Sequence, residues 1–84
     1  SAVNFLFQFE TNISHHASKC NVSGVICGHI HHLEIKEIDN ILYLNSGDWV
    51  ESCSAIVEDY NGTWLAVALN HEQCMEIVKS YPAK

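Results

Sequence analysis

The chain has 84 residues, enough for one small domain or a piece of a larger one. Hydrophobic residues make up 48% and charged residues 17%, against about 25% charged in ordinary domains, which excludes a disordered chain and points to surface meant to be covered. Ten acidic residues against four basic ones give a net charge of −6, so a basic footprint for duplex nucleic acid or an anionic membrane surface is missing.

Taken in chain order, Phe5, Phe9, Ile13 and Ala17, with Leu6 and Cys20 beside them, recur at helical spacing and predict a helix over residues 3–20. Asn21 tolerates the left-handed conformation at which such a helix stops. Residues 22–27 are short, β-branched and uncharged, as in a strand buried on both faces. Residues 33–38 and 41–45 flank Asp39-Asn40 and predict a β-hairpin. Residues 52–58 and 63–69 predict a second hairpin, turning through Tyr60-Asn61-Gly62. Cys74, Ile77 and Val78 share a helical face within residues 71–80, with Pro82 as the stop, so the chain is expected to close on a helix. The expected order is α-β-ββ-ββ-α, an α/β chain that in isolation reads as α+β.

No apolar run approaches the roughly 20 residues of a membrane span, and no basic segment precedes the apolar start. The expectation is a cytoplasmic, reduced protein, at most peripheral to an inner membrane. Cys20, Cys27, Cys53 and Cys74 form no C-x-x-C pair and are expected to be buried free thiols. The three N-x-S/T triplets, at Asn12, Asn21 and Asn61, are only a mild excess over the roughly one that chance would give.

Chemistry concentrates in Cys27-Gly28-His29-Ile30-His31-His32. Ligands of α/β sheets gather where strands end, and Gly28 permits a sharp turn there. His29 and His31 alternate with Ile30 in an extended segment and project to one side. Two imidazoles so placed suit one or two borderline metal ions. His15, His16 and His71 read as solvent-facing, and Glu51, Glu58, Asp59 and Glu72 as a solvated acidic surface. Asp48 reads as turn chemistry before a rim of the metal site. Asn45 suits a strand end. Trp49 is expected to pack in the core or to cover a cleft, and Trp64 to pack in the core.

Val25-Ile26-Cys27-Gly28-His29-Ile30-His31 resembles the last metal-binding motif, G-H-x-H, of the calcineurin-like metallophosphoesterases. Residues 41–53, Ile41 to Cys53, are similar to the Y-x-N-x-G-D-W-V-E-S-C stretch of the branch related to UDP-2,3-diacylglucosamine diphosphatases, enzymes of lipid A synthesis. The resemblance spans roughly residues 13–69. It implies a hydrolase in which two divalent ions, about 3.5–4 Å apart, polarise a phosphate and activate an attacking hydroxide. Manganese is the first expectation, then zinc or iron, with His29 a ligand of one ion and His31 of the other. No catalytic residue is carried over, and His32 receives no role.

The family's D-x-H, G-D-x-x-D and G-N-H-D/E motifs do not occur here, leaving each ion about one ligand where it needs four to six. The resemblance therefore implies that residues 1–84 form the C-terminal portion of a phosphoesterase domain, part of a four-layer α/β/β/α sandwich, inactive alone. Its expected partners are the remainder of that domain or a swapped copy of itself, with a phosphoester or nucleotide-diphosphate substrate. The alternatives are a non-catalytic module that binds a structural metal through Cys27, His29, His31 or His32, or binds a partner on its sheet, and a decayed remnant of the enzyme.

Overall fold

A computed structural model describes residues 2–82 except His29, with side chains from Asn4 onward. Among the described residues one helix, α1 (Ala2–Lys19), precedes six strands. These are β1 (Gly24–Cys27), β2 (Glu34–Ile38), β3 (Ile41–Asn45), β4 (Ser54–Glu58), β5 (Trp64–Leu69) and β6 (Met75–Tyr81). The chain is a mixed α+β fold with two three-stranded sheets, ordered β1-β3-β2 and β4-β5-β6.

The first sheet places β3 in the centre, parallel to β1 and antiparallel to β2. The β2–β3 hairpin turns where expected, with Asp39 and Asn40 both at positive φ (51° and 69°). Two successive left-handed residues match the right-handed twist of the flanking strands, and Asp and Asn tolerate that conformation. The β4–β5 hairpin also forms, through Gly62 at φ 80°.

Alternation along β3 divides its side chains between two layers. Leu44 joins Ile35 and Ala66 in the core between the sheets, flanked by Leu33, Leu42, Ile56, Trp64 and Tyr81. Ile41 and Tyr43 lie on the opposite side of β3, where α1 packs. Glu34 and Glu37 of β2 tie the two sheets together at Lys79 (2.7 Å) and at the Tyr81 hydroxyl.

Five expectations are corrected. The helix expected over residues 71–80 is a turn followed by β6. Asn70 Oδ1 accepts the backbone N–H groups of Glu72 and Cys74, Gln73 takes φ 63°, and β6 then pairs with β5. The free backbone edge of β5 outweighs a three-residue helical periodicity. A bulge at Val78, between the pairs Val67–Ile77 and Ala66–Lys79, puts Ile77 and Val78 out of strict alternation.

Second, β1 is not buried on both faces: Ile26 is 57% exposed, because the second sheet covers β2 and β3 but leaves β1 at the edge. Third, the buried face of α1 is Glu10, Ser14 and Ala17, while Phe5 is 63% exposed. The Glu10 carboxylate turns inward because Lys36 of β2 meets its Oε1 at 2.7 Å. Fourth, Cys20 and Cys74 are exposed and Cys27 and Cys53 half-buried, all free thiols. Last, Trp49 is 69% exposed and packs in no core. His15, His16 and His71 are exposed as expected.

Candidate functional site

The parallel register of β1 and β3 pairs Cys27 with Asn45, so both strands end at the same edge of the sheet. The segment after β1 thus lies beside the turn after β3. Ser46 N–H donates to the Cys27 carbonyl at 3.0 Å, and a side chain at Gly28 would touch Ser46 Oγ at 3.5 Å.

Past Gly28, the Ile30 N–H donates to the Gly28 carbonyl and the His32 N–H to the Ile30 carbonyl, both at 2.8 Å. Ile30 is half-buried while His31 and His32 are exposed, the alternation an extended segment imposes. His29 lies outside the described residues. His32 Nε2 stands 3.8 Å from Oε2 of the half-buried Glu34.

The opposing turn is pinned by residues that the sequence marks only in part. Asn45 is fully buried; its Nδ2 donates to the Tyr43 hydroxyl and its Oδ1 accepts the Gly47 N–H, each at 3.0 Å. Burial then pushes the Tyr43 phenol well above its ordinary value. Ser54 Oγ donates to the Ser46 carbonyl (2.9 Å) and accepts the Asp48 N–H (3.3 Å). Gly47 has φ 75°, and a Cβ there would sit 2.1 Å from Ser54 Oγ. Tyr43 and Ser54 were not among the expected functional residues: a tyrosine in a strand and a serine at a strand start carry no distinguishing pattern.

Asp48 is only 8% exposed. Its Oδ2 accepts the backbone N–H groups of Glu51 and Ser52, closing the turn through Trp49 and Val50 as a cap closes a helix start. The Glu51 N–H holds the carboxyl below its ordinary range, with help from Ser52 and from the nearby His31. Its other oxygen, Oδ1, is buried and has no hydrogen-bond partner among the described residues. The edge therefore joins an exposed imidazole, a buried carboxylate with one spare lone-pair face, and an exposed Trp49 and Val50.

The residues present do not make a complete metal centre. No group of three His, Cys, Asp or Glu side chains converges among the described residues, whereas a transition-metal ion needs about four to six ligands. Cys27 does not add a thiolate: burial raises its thiol, and Sγ contacts the Leu44 carbonyl at 3.6 Å. No described helix is long and apolar enough to cross a membrane. Comparison with family models, with curated proteins and with solved structures finds no match for this chain.

Proposed function

We propose that the chain is one segment of a metal-dependent phosphoester or pyrophosphate hydrolase, resembling the UDP-2,3-diacylglucosamine diphosphatase branch of the calcineurin-like phosphoesterases. In this reading residues 1–84 are the C-terminal portion of the catalytic domain and hold the metals through His29 and His31. The observation that supports it is the common edge of β1 and β3, which sets Gly28, at the head of the histidine motif, beside Ser46, at the head of the second segment of the resemblance. Bound manganese would polarise a phosphate there. The chain's own part is to present imidazole nitrogen from a loop whose start is tied to the Ser46 N–H through the Cys27 carbonyl.

The remaining ligands would come from the rest of the domain or from a second copy. Isolated chain is accordingly expected to show no manganese-dependent hydrolysis of bis(p-nitrophenyl) phosphate above background. It should bind manganese weakly, and His29→Ala and His31→Ala should each reduce that binding. Unchanged binding in both variants would overturn the assignment, and turnover that His29→Ala abolishes would overturn its incompleteness. A non-catalytic partner-binding module is the second reading, favoured by the uncovered outer face of the second sheet, where Val57, Met75 and Ile77 are exposed. Manganese binding independent of both histidines would select it.

A further inference from the structure

We propose that the outer edge of β1 pairs antiparallel with β1 of a second copy of the chain, so that the two first sheets join into one. β1 ends its sheet, and no described strand pairs with its outer edge. The Ser23 and Cys27 carbonyls accept the Leu42 and Ser46 N–H groups of the β3 side, each at 3.0 Å. A ladder uses alternate residues of a strand for one neighbour, so the backbone N–H and C=O groups of Gly24 and Ile26 point outward. A row of such groups is a template for another strand, not for a lipid or a small apolar ligand.

The edge is complementary to itself. A two-fold axis beside Val25 sets Gly24 of each copy opposite Ile26 of the other, and each such pair exchanges both of its N–H···O bonds. Gly24 and Ile26 lie on the face of their register partners Leu42 and Leu44. On that face a groove of about 260 Å³ opens between β1, Leu42, Leu44 and Trp64. A Cβ at Gly24 would stand 3.0 Å from the Leu42 carbonyl oxygen and 3.2 Å from Leu42 Cβ. Glycine therefore keeps β1 close to β3 and leaves the groove open to Ile26 of the second copy. Ile26, 57% exposed in the single chain, is covered in both copies at once.

Charge and area favour a second copy. Two chains of net charge −6 repel, and residues 22–28 carry no charge, so copies meet there with least repulsion and without the lysines that blunt natural edges. The accessible surface of 5859 Å² exceeds the roughly 5,000 Å² expected for the mass by about the 800 Å² that one partner gives a standard interface. The antiparallel pairing places Gly28 of each copy three residues beyond the axis, about 10 Å to either side. The two histidine loops thus stay apart, and the dimer neither adds a ligand to them nor depends on them.

Sedimentation equilibrium and amide hydrogen exchange of the Ile77→Lys chain test this, because the added charge suppresses association through the second sheet. A dimer is expected, and the Gly24 and Ile26 amides should exchange more slowly as concentration rises. Ile26→Lys should weaken the dimer about tenfold or more while leaving the circular dichroism of the monomer unchanged, and Ile26→Val should keep it. His29→Ala and His31→Ala should keep it too, so this interface and the metal reading fail separately. A monomer at all concentrations, a dimer whose Gly24 and Ile26 amides gain no protection, or full-strength pairing in Ile26→Lys overturns the proposal. The amide measurement needs no substitution in β1, so it decides the matter even where Ile26→Lys fails to fold.

Discussion

At the scale of single residues, the turn after β3 depends on two atoms that a substitution can separate. Gly47 and Gly62 both sit in left-handed conformation, at φ 75° and 80°, but only Gly47 is enclosed. A methyl group at Gly62 meets nothing within 4 Å, so Gly62→Ala should lose about 1 kcal/mol from the backbone alone. At Gly47 the same methyl group collides with Ser54 Oγ, and Gly47→Ala should lose about 2–4 kcal/mol through backbone strain and overpacking together. Urea unfolding of the two variants measures the difference; equal losses would mean that Ser54 does not brace the turn.

Between elements, the contact of the two sheets combines an apolar core with charged ties. Burial pushes the Glu34 carboxyl up, but the Lys79 ammonium and the Ile35 N–H outweigh it, so the carboxyl ends below its ordinary 4.5. A group lowered on folding stabilises the native state above its unfolded value, and that contribution vanishes as pH falls through the folded value. Lys79→Met should therefore destabilise the chain at neutral pH by about 0.5–1 kcal/mol, the range of an exposed pair. It should change little well below pH 4.5, where Glu34 is protonated in both proteins. Thermal unfolding as a function of pH checks the sign: a loss that grows on acidification would be inconsistent with this pairing.

Over the whole molecule, the layers are incomplete. The chain has a radius of gyration of 13.2 Å, above the roughly 12 Å of a compact domain of this length. Its accessible surface of 5859 Å² likewise exceeds the roughly 5,000 Å² expected for its mass. The shape, 41 × 36 × 17 Å, is a slab. One broad side is covered by α1; the outer face of the second sheet carries Val57 and Ile77 on neighbouring positions of β4 and β6, across Leu65 and Val67 of β5. Exposed apolar faces and open strand edges favour association. Light scattering should show self-association that rises with concentration and that Ile77→Lys reduces, with little loss of monomer stability because Ile77 is already solvated. A monomer at all concentrations would contradict this.

The sequence by itself determined the first helix and both hairpins, because their signals are local. Asp39-Asn40 and Asn61-Gly62 set the turns through backbone conformation, and the four-residue spacing of apolar side chains set α1. It also singled out the segment Gly28–His32 and the turn Ser46–Trp49 as the unusual stretches. The tertiary structure decided that Gly28 lies beside Ser46, since the adjacency of the two strand ends follows from β1 running parallel to β3 rather than from any local signal. It also decided that residues 75–81 are a strand, because β5 offered an unpaired edge whose N–H and C=O groups a helix cannot satisfy. The inward turn of Glu10 and the outward turn of Phe5 belong to the same level. Which side of an amphipathic helix is buried is set by what packs against it, and here that includes the Lys36 ammonium of β2.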